Sequence, residues 1–413
     1  MKLIHIADLH LGKSIGGVSL IDNDDQPVWV ERFLEKAAGL QPDAVVIAGD
    51  IYDRSSPSGD AVMLFDRLLT GLSGLGIPVL AVAGNHDSAE RLSFARDLLA
   101  QSRVYIAGKL KKELTHVTIA AKDGSGEVTF WLMPYLFPAL VSQVLEDETI
   151  REYDTAVRRL LEAQEIDFSK RNVLIAHQNV TAAGKEVERG GSESMVGGVG
   201  QIDYTAFDGF DYVALGHIHS AYPVGRKEVR YAGSPLCYHF DEVKQQAKGP
   251  LLVEIAADGT VSTSLISIEP LHRMRRLEDS YDKILAELER EPGEGEYLRI
   301  VVRDQKLTPE ITSYLRESCR QRGSVVMELL SDYEDFSMAG RGVTGKDIEN
   351  KTPETLFVDF YKERRADADP EEEELAILQK AGEILAAERT ERMQAPDDRA
   401  VDRLLKFVLG QEE

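Results

Sequence analysis

The sequence has few cysteines and no long apolar run. Its two cysteines, Cys237 and Cys319, form no CxxC pair and no disulfide framework, which is typical of a reducing compartment. No apolar run approaches the ~18 residues of a membrane span, and Asp8 interrupts the first apolar stretch, where a signal peptide would need an uninterrupted one. We therefore expect a cytoplasmic protein without a membrane partner.

Positive charge is also scarce. The 48 Lys and Arg residues stand against 71 Asp and Glu residues, which gives a formal net charge of −23. Such a chain cannot coat nucleic acid through bulk electrostatics, so a protein of this kind that acts on DNA or RNA needs a local basic surface or a partner that supplies one. Since 43% of its 413 residues are hydrophobic, wholesale disorder is excluded, and the length predicts two or three domains.

The pattern of apolar residues divides the chain into three parts. Up to about position 268, short apolar runs alternate with amphipathic helical patterns, which predicts an α/β domain whose strands are buried on both faces. From 270 to 335, the order strand, helix, strand, helix, strand predicts a small α+β domain. From 336 to 413, a glycine-rich connector leads to helical segments with apolar stripes, which either fold back on the main body or bind a partner.

Five of the apolar runs lead directly into side chains that bind metals. The motifs are Asp8-Leu9-His10, Gly49-Asp50, Gly84-Asn85-His86-Asp87, Ala176-His177 and Gly216-His217-Ile218-His219. In an open α/β sheet the carboxyl ends of the strands form the crevice where ligands bind, so these side chains are expected to share one volume. Each motif alone is a weak signal, because Asp-x-His or Gly-Asp after a strand is usually a turn. Their conjunction predicts a metal centre.

The residue types indicate the chemistry of that centre. The seven candidate ligands are Asp8, His10, Asp50, Asn85, His177, His217 and His219. Carboxylate, imidazole and amide oxygen without thiolate favour manganese, iron or zinc. Seven ligands are enough for two ions if one carboxylate bridges, and paired ions promote phosphoester hydrolysis. His86 is left over, so we predict that it is a catalytic proton donor or charge neutraliser at the leaving group.

At these residues the chain resembles the calcineurin-like metallophosphoesterases, whose pattern is D-x-H, G-D, G-N-H-D/E, H and G-H-x-H. More closely it resembles the SbcD-type branch of the Mre-type DNA-repair nucleases. The segments that carry this closer resemblance are IHIADLHLGKS, VVIAGDIYDRSSPS, VLAVAGNHDSAERL, YVALGHIHSAYPV and YAGSPLCYHFDE. The resemblance implies a sandwich of two sheets covered by helices (1–268), an α+β cap domain (270–335), and a linker with a helical partner-binding segment (336–413).

The resemblance also implies roles for individual residues. Asp8, His10, Asp50 and His219 would bind one divalent ion, and a bridging Asp50 with Asn85, His177 and His217 would bind the second. His86 would be the catalytic residue and would not bind a metal ion. The metal would be Mn²⁺. The implied activity is exonuclease on double-stranded DNA ends and endonuclease on single strands or hairpins, in DNA repair, recombination and replication. The role of Asp53 stays open, because some relatives have a histidine there.

The resemblance further implies two protein partners. One is a second copy of the chain, bound through helices after Gly-Asp and Gly-Asn-His-Asp, with Met63, Leu64, Leu68 and Leu92 as candidates. The other is an SbcC-type SMC-like ATPase, bound by tail helices around Leu356, Phe357, Phe360 and Leu378, which would make a heterotetramer.

Several residues are candidates for contacts with DNA. The basic ones are Arg226, Lys227, Arg230, Arg273, Arg275 and Arg276, although any single one is more often ordinary surface charge. Tyr52 and Arg54 either touch substrate or pack within their loop.

Two other functions fit the same residues. A phosphatase or phosphodiesterase of the same superfamily acting on a small molecule would share the metal constellation, but it would need neither a cap nor a tail. A binding module with a vestigial metal site is the other alternative. Against it, every ligand position holds a side chain that can bind a metal.

Overall fold

The structure, a computed structural model, describes residues 1–182, 200–244, 248–290 and 295–333, together with the single positions 358, 375 and 376. Residues 1–333 form one unit and residues 334–413 a second one. The predicted partner-binding residues Leu356, Phe357, Phe360 and Leu378 lie outside the described residues. None of the helices in the described ranges combines the length and the apolar character that a membrane span requires.

The apolar runs of the sequence form β-strands. In chain order the strands up to residue 268 are β1 (Lys2–Ile6), β2 (Ser14–Ile15), β3 (Val18–Ser19), β4 (Ala44–Ala48), β5 (Val79–Val82), β6 (Val104–Ala107), β7 (Thr115–Ala120), β8 (Glu127–Met133), β9 (Asn172–His177), β10 (Val180–Thr181), β11 (Ile202–Asp203), β12 (Tyr212–Gly216), β13 (Pro223–Val224), β14 (Arg226–Tyr231), β15 (Leu251–Ile255) and β16 (Val261–Leu265). The helices are α1 (Asp25–Leu40), α2 (Gly59–Gly74), α3 (Ala89–Leu92), α4 (Arg96–Gln101), α5 (Pro138–Leu145) and α6 (Tyr153–Glu162), with 3₁₀ turns at Tyr204–Phe207 and Phe240–Lys244.

Twelve of these strands form two six-stranded sheets. The spatial order is β16-β15-β1-β4-β5-β6 in the first sheet and β13-β14-β12-β9-β8-β7 in the second. The strands β1, β4, β5 and β6 are parallel, as are β8, β9, β12 and β14. The antiparallel strands lie toward the sheet edges. The central parallel strands of each sheet therefore end on a common side.

The central strands β4, β5, β9 and β12 are buried on both faces, which explains the continuous apolar runs. In β4, Ala44, Val46 and Ala48 belong to the core between the two sheets, whereas Val45 and Ile47 belong to the core beneath α1 and α2. On the second sheet, α5 and α6 contribute to the outer core. The predicted α/β sandwich of two sheets covered by helices is thus confirmed.

A smaller sheet follows the sandwich. Its elements are β17 (Met274–Asp279), α7 (Tyr281–Arg290), β18 (Tyr297–Val302), α8 (Pro309–Arg320) and β19 (Val325–Ser331). The three strands are parallel in the order β17-β18-β19, and the unit has its own core around Leu298, Ile300 and Leu315. The Thr308 side chain caps α8 by accepting from the N–H of Ile311. We call residues 274–331 the cap.

Three of the four residues predicted at a dimer interface lie in the core instead. Leu64, Leu68 and Leu92 are 6%, 0% and 5% exposed, because their helices turn this face toward the first sheet. That prediction is therefore wrong for these three residues. Met63 is 65% exposed and remains available for contact with another molecule.

Most basic residues predicted to touch DNA already hold internal partners. Arg226 Nη2 donates to the carbonyl oxygens of Phe207 and Phe210 at 3.0 and 2.9 Å. The cap-side arginines form ion pairs, namely Arg273 with Glu269 at 2.8 Å, Arg275 with Glu296 at 2.8 Å and Arg276 with Asp241 at 3.0 Å. The side chains of Arg226, Arg275 and Arg276 are mostly buried, so these contacts favour structural roles for them. Arg273 and its partner Glu269 are exposed, so Arg273 stays accessible.

The two residues beside Asp53 differ in their surroundings. Tyr52 is buried and packs edge-to-face on the ring of Phe65, with the ring centroids 5.7 Å apart. Of the two roles predicted for Tyr52, the structure therefore supports packing, although the partner Phe65 lies on α2 and not in the loop. The Arg54 side chain is 82% exposed and is the one of the two that a substrate can reach.

Candidate metal centre

The ends of five strands bring the predicted ligands together. The ligands after strands of the first sheet are Asp8 and His10 (β1), Asp50 (β4) and Asn85 (β5), and those of the second sheet are His177 (β9) and His217 and His219 (β12). Backbone hydrogen bonds join neighbouring loops, since the N–H groups of Asp8 and His10 donate to the carbonyls of Gly49 and Asp50 at 3.0 Å. The two sheets thus contribute to one site.

One group of ligands contains Asp8, His10 and His219. Nε2 of His10 lies 3.1 Å from Nε2 of His219, and one ligand atom from each of the three residues lies within 4.8 Å of the others. Burial lowers the pKa of His10, which favours the neutral imidazole that binds metals. Two imidazole nitrogens that face each other in this way, beside a carboxylate, fit a shared cation.

A second group contains Asn85, His177 and His217. Oδ1 of Asn85 lies 3.0 Å from Nε2 of His177 and 3.1 Å from Nδ1 of His217. Burial lowers the pKa of His217 to about 3, and the neighbouring His177 adds to the effect. The amide oxygen and the two ring nitrogens converge as three donors would around one ion.

Asp50 lies between the two groups. Its Oδ2 is 3.6 Å from Nε2 of His10 and 3.3 Å from Nε2 of His177. Its Oδ1 accepts the backbone N–H of His86 at 2.9 Å. Burial alone would raise the pKa of Asp50, but His177 and then His10 hold it well below its usual range. The carboxylate is therefore ionised and presents one oxygen to both groups, as a bridging ligand must.

Hydrogen-bond acceptors behind two of the imidazoles fix their orientation. Nδ1–H of His177 donates to the carbonyl oxygen of Ala48 at 2.8 Å, and Nδ1–H of His219 donates to Oε1 of Glu242 at 3.1 Å. With Nδ1 engaged, Nε2 of each ring is the nitrogen that faces the other ligands. Metal-binding histidines usually have such outer partners.

Glu242 was missed by the sequence analysis. It lies in the segment YAGSPLCYHFDE, which supports the family resemblance but contains none of the predicted ligands. Glu242 lies 23 positions after His219, and that spacing is not typical of any metal-binding motif. The one feature of the sequence that could have identified Glu242 is its place within that segment.

Asp53 stands behind His10 much as Glu242 stands behind His219. Oδ1 of Asp53 is 3.5 Å from Nδ1 of His10 and 2.7 Å from Nζ of Lys13. Burial alone would raise the pKa of Asp53, but its contacts with His10 and Lys13 keep it below the usual range. The residue whose role the sequence left open is thus an ionised carboxylate beside a predicted ligand.

His86 borders the ligands on the accessible side. Its Nδ1–H donates to the backbone carbonyl of Asp53 at 2.8 Å, and its ring stands edge-to-face on His10 at 4.8 Å between centroids. A ring nitrogen of His86 lies within 4.8 Å of ligand atoms of His10 and Asp50. Because Nδ1 is engaged, Nε2 is the nitrogen that can exchange a proton with a bound molecule.

Asp87, to which the sequence analysis gave no role, ties two loops together. Its Oδ2 accepts the N–H groups of Gly84 and Ile51 at 2.8 and 3.1 Å, and its Oδ1 accepts that of Tyr52 at 2.9 Å. The loops after β4 and β5 are therefore held in register. Asp50 and Asn85 owe their relative placement in part to this carboxylate.

Four of the ligands have backbone conformations that are rare for residues with a side chain. The φ angles are 54° for Asp8, 42° for His10, 48° for Asp50 and 103° for His217. Each such residue costs roughly 1–3 kcal/mol, and they cluster at functional sites. The strain turns the chain sharply at the strand ends and directs these side chains toward one another.

Glycines precede ligands where a side chain would collide with the centre. A Cβ at Gly84 would lie 2.1 Å from Oδ1 of Asp50. A Cβ at Gly216 would lie 1.9 Å from the carbonyl oxygen of Ala48 and 2.9 Å from Nδ1 of His177, the two atoms of the hydrogen bond that orients His177. These glycines are required by close approach.

The donor set fits a pair of divalent cations that share Asp50. It combines carboxylate, imidazole and amide oxygen, and two groups that contain Asp8 place their ligand atoms within 4.8 Å of one another, one with His10 and His219, the other with Asp50 and His177. Such donors suit manganese, iron or zinc.

Comparison with known proteins agrees with this geometry. The profile of the calcineurin-like phosphoesterases matches residues 1–221, which include all seven candidate ligands and His86. A second profile, SbcD_C, described as the type 5 capsule protein repressor C-terminal domain, matches residues 270–365, which include the cap.

Two individual proteins are similar to the chain. The D subunit of the nuclease SbcCD from Staphylococcus epidermidis is 28% identical over 365 residues, which covers 88% of this chain and 93% of that protein. A crystal structure of TT1561 of Thermus thermophilus covers 64% of this chain and 98% of its own, with 11% identity and a TM-score of 0.35. At that TM-score the second similarity carries no argument.

Replacing Gly216 by alanine should disturb the geometry of the metal centre, although the substitution removes no ligand. The added Cβ must displace Ala48 or His177, so we expect the free energy of unfolding to fall by at least about 1 kcal/mol. Metal affinity should fall about 10- to 100-fold, since His177 loses its outer partner. Urea unfolding and isothermal titration with Mn²⁺ measure the two effects.

Gly39→Ala is the matched control. A Cβ at Gly39 meets nothing within 4 Å, and alanine favours a helix more than glycine does, so this variant should be as stable as wild type or up to about 1 kcal/mol more stable. Wild-type metal affinity in Gly216→Ala would contradict the proposed role of this glycine.

Proposed function

Because the chain belongs to the calcineurin-like phosphoesterase family, and is therefore a metal-dependent phosphodiester hydrolase, we propose that its substrate is DNA. The proposed activities are exonuclease on double-stranded ends and endonuclease on single strands or hairpins, in DNA end processing, repair and recombination. The observation that carries the proposal is the pair of ligand groups joined by Asp50. The similarity to the D subunit of an SbcCD nuclease along 88% of the chain supports DNA as the substrate.

We assign one ion to Asp8, His10, Asp50 and His219, and the second to Asp50, Asn85, His177 and His217. Two such cations, proposed to be Mn²⁺, would bind a phosphoryl group and lower the pKa of a bound water. The protein contributes orientation, since Ala48 and Glu242 accept hydrogen bonds from His177 and His219. The carboxylate of Asp53 lies 3.5 Å from Nδ1 of His10.

His86 is the proposed catalytic residue. With Nδ1–H bound to the carbonyl of Asp53, its ring presents Nε2 to the accessible side of the site. In the imidazolium form His86 also carries a proton on Nε2. As the phosphorus–oxygen bond to the leaving group breaks, that proton passes to the departing oxygen and leaves a neutral ring protonated on Nδ1. The fixed ring orientation keeps this donor in place before the reaction begins.

We propose three functional parts: a nuclease domain (1–268), a cap domain (270–335), and a linker with a helical segment (336–413) that binds an SbcC-type SMC-like ATPase. Such a partner would supply the basic surface that a chain of net charge −23 lacks.

We also propose a homodimer, and thus a heterotetramer with the ATPase, in the cytoplasm. Exposed apolar residues on and near α2 and α4 are the candidates for the dimer surface, namely Met63, Phe94 and Leu98, which are 65%, 80% and 67% exposed. A cytoplasmic location predicts that Cys237 and Cys319 stay reduced, and recovery of the protein in a membrane or extracellular fraction would contradict it.

The activity is tested with linear duplex DNA and Mn²⁺, alongside a chromogenic phosphodiester. Wild type should degrade the DNA, and His86→Ala should cleave it about 10²- to 10⁴-fold more slowly at unchanged metal content, because it lacks the proton donor. His116→Ala, on the edge strand β7, is the matched control and should behave as wild type.

Two results would contradict the proposal. Hydrolysis of the small ester but never of DNA, even with the ATPase present, would favour a small-molecule phosphodiesterase. DNA cleavage at full rate by His86→Ala would remove the assigned role of that residue.

The assembly is tested by mixing the full chain, or a chain that ends at Tyr333, with an SbcC-type ATPase. Size-exclusion chromatography with light scattering should show a complex of two copies of each protein for the full chain. The shortened chain should elute alone as a dimer that still binds Mn²⁺. Co-elution of the shortened chain with the ATPase would show that the tail is not the binding segment, and a monomer would exclude the proposed homodimer.

A further inference from the structure

The 3₁₀ turn Phe240–Lys244 lies between the metal centre and the cap. Two consecutive acidic residues in this turn contact different parts of the protein. Glu242 is 1% exposed and contacts a predicted metal ligand, whereas the Asp241 side chain is 46% exposed and contacts the cap. The turn is therefore bonded to both.

Glu242 is held rigidly on the side of the metal centre. Its Oε1 accepts from Nδ1 of His219 at 3.1 Å, and its Oε2 lies 2.8 Å from Nζ of Lys248 and 3.2 Å from the N–H of Tyr238. Lys248 in turn donates to the carbonyl oxygen of His219 at 2.5 Å and to the hydroxyl of Ser234 at 2.9 Å. Both the ring and the backbone of His219 are thus held by this pair of charges.

Asp241 is held by the cap through two arginines. Its Oδ1 lies 3.0 Å from Nη1 of Arg276 on β17 and 3.7 Å from Nη1 of Arg299 on β18. These two arginines are paired in register on neighbouring parallel strands, so they move with the cap sheet as one element. A displacement of the cap therefore pulls on Asp241.

We propose that Glu242 is a positioning residue for His219 and that Asp241 links its position to the cap. The position of the cap then sets the affinity of the metal site built on His219, so a DNA end that moves the cap alters that site. The inference rests on the proposed function in one respect, namely that His219 is a metal ligand. Asp241 and Glu242 are adjacent in one 3₁₀ turn, so the backbone of the turn connects the two contacts.

The two residues should differ in the size of their effect. Removing a carboxylate that orients a ligating histidine typically lowers metal affinity about 10- to 100-fold. Asp241 is partly exposed and acts through its neighbour, so its loss should lower the affinity only about two- to fivefold, the scale of an exposed ion pair. Both effects should fall on the same one of the two ions.

The test is isothermal titration of the full chain with Mn²⁺ for wild type, Glu242→Gln and Asp241→Asn. Glu317→Gln is the matched control, since it removes an exposed cap carboxylate that pairs with Arg320 on α8 and does not contact the turn. We expect two sites in wild type, one of them weakened about 10- to 100-fold in Glu242→Gln and two- to fivefold in Asp241→Asn, and unchanged affinities in the control. Circular dichroism should show folded protein for each variant.

The outcomes separate this inference from the proposed function. Wild type that binds no Mn²⁺ would overturn both. Metal-binding wild type with equal affinities in Glu242→Gln would overturn the positioning role alone. Weakened binding in Glu242→Gln with wild-type binding in Asp241→Asn would overturn the link to the cap. If Glu242→Gln does not fold, Asp241→Asn decides the proposal by itself.

Discussion

The carboxylate of Asp50 is the point on which the site depends. It is buried, it is ionised because His177 and His10 surround it, and one of its oxygens lies between the two histidines. An ionised carboxylate in a protein interior is unfavourable unless positive charge compensates it. The proposed pair of cations would provide that compensation, and the same cations would supply what phosphodiester hydrolysis requires.

The fold places the other ligands around the carboxylate of Asp50. Parallel strands from two sheets deliver ligands from both sides, and left-handed residues turn the chain sharply where the ligands begin. Gly84 and Gly216 leave room for Asp50 and for the bond between His177 and Ala48. Acceptors such as Glu242 then orient the imidazoles, so the orientation of the ligands is maintained by the protein itself.

Much of this arrangement is predictable from the sequence because each ligand directly follows an apolar strand. The pattern identifies the strands, and the common direction of parallel strands brings Asp8, Asp50 and His177 to one site. Two roles were not predicted, namely that of Glu242 behind His219 and that of Asp87 between the loops after β4 and β5. Both depend on contacts between distant segments, which no local spacing in the sequence indicates. The resemblance implies a dimer through helices that carry Leu64 and Leu68, but an apolar helix stripe does not reveal whether it faces the sheet or a partner, and here it faces the sheet.

The central claim is that two cations share Asp50, and anomalous scattering from crystals grown with Mn²⁺, recorded at the manganese edge, tests it most directly. We predict two peaks roughly 3.5–4 Å apart, the spacing of paired catalytic ions, with an oxygen of Asp50 between them. A single peak, or two peaks that Asp50 does not touch, would contradict the account.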